Sequence, residues 1–359
     1  MKKLNLVCPI NSLGYGISSY NIWNSLRENC EITLFPIGNT NVESHWNKDG
    51  LLNDIKRQHQ YDKNNPCLKI WHAHDLLMKP HGIGLYATYG FFESDTISTS
   101  EKLGYDISDI IIVPTQWAKD VLIQNNISPN KIQVANPGVD TSIFDHTLDI
   151  TDTDNPQEDY VFINIGKWEI RKGHDVLSHI FNQAFDSNDN VRLLMINTNP
   201  FISETENKQW RDLYKNSKLG DKIHIIPRLS SQTDIAKIMS VSDCGIFPAR
   251  AEGWNNEAIE MMAMNKPVIL TDYSAHTEYA NKENSYLINI QDQEVAEDGK
   301  FFNGVGKWAK LDANAIDQTI EYMRYVYNNK IIENPSGLAT AQKLNWKSTA
   351  QKISNIIYG

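Results

Sequence analysis

Three cations, Lys167, Arg171 and Lys172, crowd six consecutive positions within VFINIGKWEIRKGHDVL, residues 161–177. The apolar run before them ends at Gly166, and a helical pattern begins near Gly173, so they fall where a strand gives way to a helix. In an open parallel sheet this junction lies at the carboxyl ends of the strands, where ligands bind, and a helix N-terminus adds positive potential. Neutralisation of a diphosphate is the chemistry that suits the place; a solvated basic loop is the plainer alternative. A second stretch, CGIFPARAEGWNNEAIEMMAMNKPVILTD at 244–272, puts Glu252 and Gly253 in a loop after a strand, Asn255 or Asn256 at a helix cap and Glu260 inside that helix. Glu252 and Glu260 are eight positions apart, which is common by chance in a chain with 44 acidic residues, so the loop weighs more than the pair. Backbone N–H groups of Trp254, Asn255 and Asn256 can meet a phosphate there, while carboxylates accept hydrogen bonds from sugar and ribose hydroxyls. Glu257 reads as first-turn charge favoured by the helix dipole.

The first half offers weaker signals. NSLGYGISSY places Gly14 and Gly16 directly after the first apolar run, where a glycine-rich loop lets backbone approach a phosphate, but Ser19 stands where a dinucleotide fingerprint needs a third glycine. KIWHAHD sets His72 and His74 two apart with Asp75 next. A metal is one reading of that pair, but no further ligands accompany it, and a structural role or a place in an acceptor cleft is the other.

The elements that must position these residues are legible as runs. LNLVCP, EITLFP, LKIWHA, GLYATY, DIIIVP and KIQVAN come first; DYVFINIG, VRLLMIN, KIHIIP, CGIFPA, KPVILTD and SYLINI follow. Runs apolar throughout, separated by helical segments, indicate strands covered on both faces in parallel sheets. The expected class is α/β with two Rossmann-like halves. Between the halves the acidic stretch DHTLDITDTDNPQED, residues 145–159, lacks periodicity. Expected boundaries are a first domain over 1–148, a linker over 149–158, a second domain over 159–335 and a closing helix over 336–359. That helix carries Leu344, Trp346, Ala350, Ile353 and Ile357 at helical intervals, and Thr115 caps another helix running toward Asn125.

At 359 residues, with 41% hydrophobic and 22% charged, the chain has the size for two cores and an ordinary globular composition. No apolar run approaches the ~20 residues that span a bilayer. A net charge of −10 gives no global attraction for nucleic acid or anionic membranes, which places those partners low. Cys8, Cys30, Cys67 and Cys244 are scattered without a Cys-x-x-Cys pair, as expected of free thiols in a reducing cytoplasm.

GKWEIRKG followed by PARAEGWNNEAIEMMA and NKPVI resembles the retaining glycosyltransferases of family four, which have the GT-B fold. VPTQWAKDVLIQN, KIQVANPGVDTSIF and LNWKSTAQKISNIIY extend the resemblance over most of the chain. The resemblance implies two Rossmann-like domains facing across a cleft, with the last helix returning to the first domain. It implies that Lys167 and Lys172 neutralise the donor diphosphate, Lys167 standing where the family usually has arginine and so losing the bidentate fork. Glu252 would lie near the donor sugar and Glu260 near the ribose; backbone around Arg228 and Leu229, in IIPRLS, would read the base, and the Gly14–Gly16 loop would face the donor. Many members carry a histidine after the fourth strand of the first domain; here YATYGFFESD has none, which leaves Tyr89, Glu93, His74 and Asp75 as acceptor-side candidates.

The expected function is retaining transfer from a UDP- or GDP-sugar to a hydroxyl acceptor, a saccharide first, with no cofactor and no metal. Two alternatives stand within the family: a non-catalytic sugar-nucleotide-binding or partner subunit, and a transferase acting on a modified nucleic-acid base. A nicotinamide dehydrogenase would need the complete glycine fingerprint.

Overall fold

All twelve apolar runs fold as strands, divided between two compact units. The computed structural model of the chain describes residues 1–77, 82–148, 159–229 and 231–359. The first unit comprises Met1–Gly138 with Leu344–Gly359, and the second Val139–Lys343. The division falls ahead of the expected linker, and residues 149–158 lie outside the described ones.

In the first unit the order is β1 (Lys2–Cys8), α1 (Gly14–Leu26), β2 (Cys30–Pro36), α2 (Lys48–Lys56), β3 (Cys67–Ile70), β4 (Tyr86–Tyr89), α3 (Thr99–Asp106), β5 (Ile110–Val113), α4 (Gln116–Gln124) and β6 (Ile132–Val134). The strands form one parallel sheet in the order β2-β1-β3-β4-β5-β6. The chain direction along the sheet reverses between β1 and β3, so their carboxyl ends bound the crevice where a doubly wound sheet binds ligands.

The second unit runs β7 (Tyr160–Gly166), α5 (His174–Ala184), β8 (Val191–Asn197), α6 (Glu204–Lys215), β9 (Ile223–Ile226), α7 (Gln232–Ser240), β10 (Cys244–Phe247), α8 (Asn256–Ala263), β11 (Val268–Thr271), β12 (Tyr286–Ile288), β13 (Gln293–Glu297), β14 (Asn303–Ala309), α9 (Ala313–Asn328) and α10 (Pro335–Lys343). Its parallel sheet has the order β12-β11-β10-β7-β8-β9. Here the reversal falls between β7 and β10, which pair through Cys244 with Phe162 and Gly245 with Ile163. Both stretches rich in candidate residues leave these two strands.

The burial pattern explains the sheets. Leu4, Leu6, Ile32, Leu34, Leu68 and Ile70 are fully buried in the first core, and Phe162, Leu193, Met195, Ile246 and Ile269 in the second. Strands covered on both faces need no alternation, which is why the runs are apolar throughout.

Two elements depart from the expected pattern. β13 and β14 form an antiparallel hairpin, closed over buried Ala296 and Trp308, whose short and mostly exposed strands leave only a faint alternation. The expected closing helix over 336–359 is two helices. α10 packs against α8 in the second unit, and α11 (Trp346–Tyr358) packs against α1 in the first. The break comes at Asn345, whose side chain accepts from Ser348 N and caps α11. Burying Ile353 and Ile357 beside Trp346 and Ala350 contributes about 1.5–3 kcal/mol for each large side chain, so α11 is firmly part of the first core.

Candidate functional site

β7 ends at Gly166 and the chain winds through 167–173 before α5 begins. Within that turn Lys172 N donates to Glu169 O at 3.2 Å and Gly173 N to Ile170 O at 2.9 Å. Gly173 has φ of 76°, and a Cβ there would lie 2.2 Å from Pro248 O, so the turn closes against the end of β10 only with glycine. This approach carries the cations of the first stretch to the carboxylate of the second.

The result is a buried chain of charges. Lys167 Nζ pairs with Glu169 Oε1 at 2.8 Å. Arg171 bridges Glu169 Oε2 at 2.8 Å and Glu252 Oε2 at 2.9 Å, and also donates to Ala251 O at 2.6 Å. Lys172 Nζ donates to Glu252 Oε1 at 2.7 Å. Arg171, Glu169 and Glu252 are each about 5% exposed or less, so the arginine is no solvated loop residue. Burial pushes both carboxyls up, but the charges of Arg171 with Lys172 on Glu252, and of Arg171 with Lys167 on Glu169, outweigh it and hold both below the usual carboxylate range. For Lys172, burial opposes the charge, and Glu252 with Glu257 overcomes it, so the ammonium is held above its ordinary pKa. Within the chain three cations face two carboxylates, and Glu257, in the first turn of α8, also acts on Lys172.

A second layer fixes this chain. Arg250 donates to Asp175 at 2.7 and 2.9 Å and to Glu294 at 2.7 Å, while its backbone N donates to Arg171 O at 2.6 Å. Glu252 N donates to Ser274 Oγ at 2.9 Å. Two buried histidines are held neutral with opposite tautomers. His174 Nδ1 accepts from Glu169 N at 3.1 Å, so Nε2 carries the proton and donates to Asn164 Oδ1 at 2.9 Å. His276 Nδ1 donates to Thr271 O at 2.9 Å, so Nε2 accepts from Asn255 Nδ2 at 2.8 Å. Burial lowers their pKa values to about 3 and about 4 respectively.

Asn255 is the cap of α8: it has φ of 73°, and its Oδ1 accepts from Ala258 N at 3.3 Å. Asn256 is therefore the first helical residue, and its Oδ1 is buried with no partner among the described residues, as is the indole N–H of Trp254. Gly253 and Trp254 are buried in the loop, and Glu260 is buried within α8. Lys167, Lys172 and Glu252 are thus brought together with the α8 N-terminus following directly. Arg228 and Leu229 follow β9, at the sheet edge beyond β8, and Arg228 N donates to Thr198 Oγ1 at 3.4 Å. Ser230, the last residue of that expected turn, lies outside the described residues.

In the first unit the β1 and β3 ends carry the remaining candidates. Gly14 and Gly16 belong to the first turn of α1, not to a free loop as expected. A Cβ on Gly16 would lie 2.1 Å from Asn11 O, so this glycine lets α1 close down on the β1 exit. His72 and His74 rings stack at 5.4 Å and 17°, and His74 Nε2 lies 3.6 Å from Asp75 Oδ2. Asp75 also accepts from Trp71 Nε1 at 2.7 Å, and Tyr15 packs on His72 at 4.5 Å and on Phe91 at 5.1 Å. Tyr89 is fully buried and donates to Ala135 O at 2.7 Å, so it is a core residue and leaves the set of acceptor-side candidates. Glu93 is half-buried. Among the described residues no group of three or more His, Cys, Asp or Glu is arranged to hold a metal, and all four cysteines are buried free thiols.

Sequence reasoning passed over Glu169, Arg250, Ser274 and His276. Glu169 had a signal: in KWEIRK an acid stands two positions from each of two cations. The other three act through tertiary contacts that no local pattern announces.

Residues 145–299 match the family model of Glycosyl transferases group 1. An uncharacterized glycosyltransferase of Methanocaldococcus jannaschii is 28% identical over 215 residues, covering 58% of this chain and 49% of that protein. The chain spans about half the length of this curated relative. Among solved structures, sucrose-phosphate synthase of Thermosynechococcus elongatus superposes with a TM-score of 0.73 at 15% identity, over 99% of this chain and 98% of that one. HepE of Anabaena, in complex with UDP and glucose, superposes with a TM-score of 0.71 at 13% identity over 99% of both. At such identities the solved structures establish the fold, two parallel-sheet α/β domains of the GT-B class. The part of the chain similar to the glycosyl transferases group 1, the family its motifs resemble, thus falls in its second unit.

Proposed function

We propose that this chain transfers a sugar from a UDP- or GDP-sugar to a hydroxyl acceptor, a saccharide in the first instance, with retention of anomeric configuration. The observation that carries the reading is the Lys167–Glu169–Arg171–Glu252–Lys172 chain, which sets two lysine ammoniums at the β7/β10 crevice with the α8 N-terminus next in sequence. The UDP held by the HepE structure supports a uridine donor.

In this mechanism the bond between the anomeric carbon and the diphosphate breaks with the electron pair staying on the diphosphate, while the acceptor hydroxyl oxygen bonds to the anomeric carbon on the same face and gives its proton to the departing diphosphate. Lys172 and Lys167 stabilise that charge, and the diphosphate competes with Glu252 for the Lys172 ammonium. Charges fixed before the reaction need no reorganisation as the bond breaks, and one such donor is worth roughly 10²–10³ in rate. Glu252 stays ionised and accepts from donor-sugar hydroxyls, Glu260 from the ribose, and backbone around Arg228 and Leu229 meets the base. Gly253, Trp254, Asn255 and Asn256 offer backbone N–H groups to the donor. His74 with Asp75 serves the acceptor. The lysines supply the charge that a metal would, so the reaction needs none.

The test is release of nucleoside diphosphate from a panel of UDP-, GDP- and ADP-sugars, with and without EDTA. One donor should be consumed, EDTA should change nothing, and Glu252→Ala and Lys172→Ala should suppress release. A folded protein that neither consumes any donor nor shows a ligand-induced thermal shift sinks the reading; loss of activity with EDTA sinks its metal independence.

A further inference from the structure

A cavity of about 410 Å³ opens beside the charge chain, between α6 and the loop of the β13–β14 hairpin. Glu169 belongs both to its wall and to the charge chain. The Lys167 ammonium lies 5.2 Å from the Phe201 ring and 6.0 Å from the ring of Phe301, which also lines the cavity. Both phenylalanines are exposed, at 55% and 41%. Trp210, another wall residue, stacks on Trp168 at 5.9 Å with the planes 4° apart. Large exposed aromatic rings around a cavity are not explained by the core.

The wall is held in shape before any ligand arrives. Asp298 Oδ1 accepts from the backbone N of Lys300, Phe301 and Phe302 at 2.9, 2.7 and 2.9 Å, which fixes the loop that presents Phe301. Lys300 Nζ donates to Glu206 Oε1 at 2.9 Å and ties this loop to α6, where Glu206 completes a capping box with Ser203. Gln209 lines the same space with an exposed side chain.

The chemistry selects the ligand class. Glu169 is paired with Lys167 and Arg171, Glu206 with Lys300, and Asp298 Oδ1 with three backbone N–H groups, so the wall charges are already answered from within the protein and the cavity suits a neutral ligand. The Gln209 carboxamide donates to and accepts from hydroxyls, and aromatic faces pack on the C–H faces of a sugar ring. The volume falls in the range of about 300–1,000 Å³ usual for small-ligand sites. We propose that this cavity is a saccharide subsite, taking neutral sugar units of the acceptor against Phe301 and Gln209. The inference rests on the transferase reading for the word acceptor; the binding itself does not.

The experiment is saturation-transfer NMR on the full chain without nucleotide, using neutral trisaccharides built from glucose, galactose, mannose and N-acetylglucosamine at millimolar concentration. At least one should bind the wild type, and Phe301→Ala and Gln209→Ala should each weaken it roughly tenfold. Both substitutions truncate exposed side chains, and thermal unfolding checks each; if one fails to fold, the other carries the test. No binding to the wild type, or equal binding by the folded variants, overturns the subsite. Nucleoside diphosphate release by the wild type is scored separately. Saccharide binding with neither release nor a nucleotide-induced thermal shift would leave the subsite standing and the transferase reading fallen, and release without saccharide binding would do the reverse.

Discussion

The crevice of the second unit and that of the first are built on the same device, a parallel sheet whose strand order reverses, yet they are furnished differently. At β7/β10 five ionic side chains, three of them buried, lock one another in place, and Arg250 and two neutral histidines brace them. At β1/β3 the furniture is aromatic, with Tyr15, Trp71, His72 and Phe91 in contact and His74 exposed at the rim. The first arrangement suits a fixed anion and the second a surface that packs on a neutral partner. One fold thus hosts two kinds of recognition, because the loops at strand ends and not the sheets carry the chemistry.

The contrast is broken most severely at Arg171. Arg171→Ala leaves Glu169 and Glu252 buried and short of their shared cation, and the second unit should lose roughly 3–5 kcal/mol, read by urea unfolding. Lys172→Ala leaves Glu252 paired with Arg171, so the fold should survive while turnover of the consumed donor falls about 10²–10³-fold, or roughly 2.7–4 kcal/mol of transition-state stabilisation.

Acid should separate the units next. Among the described residues the buried histidines, His174 and His276, are both in the second unit. Their folded pKa values are depressed to about 3 and about 4, so below the unfolded value of about 6.5 the unfolded chain binds more protons and stability falls with falling pH. Each histidine should cost up to about 1.4 kcal/mol per pH unit across that window. Glu169 and Glu252, also depressed, add stability that is present above the ordinary carboxylate range and lost as pH falls through their folded values. Unit-specific probes in an acid titration should show the second unit unfolding first; simultaneous loss, or earlier loss of the first unit, would contradict this.

Smaller effects sharpen the account of the first unit. Tyr89→Phe removes one buried hydrogen bond, to Ala135 O, and should cost about 1 kcal/mol with unaltered turnover. His74→Ala removes an exposed side chain and should leave stability within about 0.5 kcal/mol, so any loss of transfer in that variant reports chemistry and not folding.

Much of this architecture was legible before the structure. Buried parallel strands write themselves as continuous apolar runs, and all twelve were readable because both faces are covered. Thr115, as cap of α4, was equally visible, since a side-chain cap is a local device. The hairpin was not, because Val295 and Val305 are exposed and its buried residues, Ala296 and Trp308, give too sparse an alternation. The break before α11 had a signal that was passed over: Leu344 and Trp346, two positions apart, cannot share a helix face, and Asn345 between them is a capping residue. At the site, local motifs pointed to Lys167, Lys172 and Glu252. What they could not express was that Arg171 joins Glu169 to the distant Glu252, 81 positions from the arginine itself, or that Gly16 is required by contact with Asn11 and not by a ligand.

The central claim, that Lys172 with its neighbours holds a diphosphate, is tested most directly by isothermal titration of UDP, UMP, GDP and GMP into the wild type and Lys172→Ala. The account predicts that one diphosphate binds the wild type at least tenfold more tightly than its monophosphate, and that Lys172→Ala removes most of that difference while remaining folded. Equal binding of mono- and diphosphate by the wild type, or a preference that survives in Lys172→Ala, would contradict it.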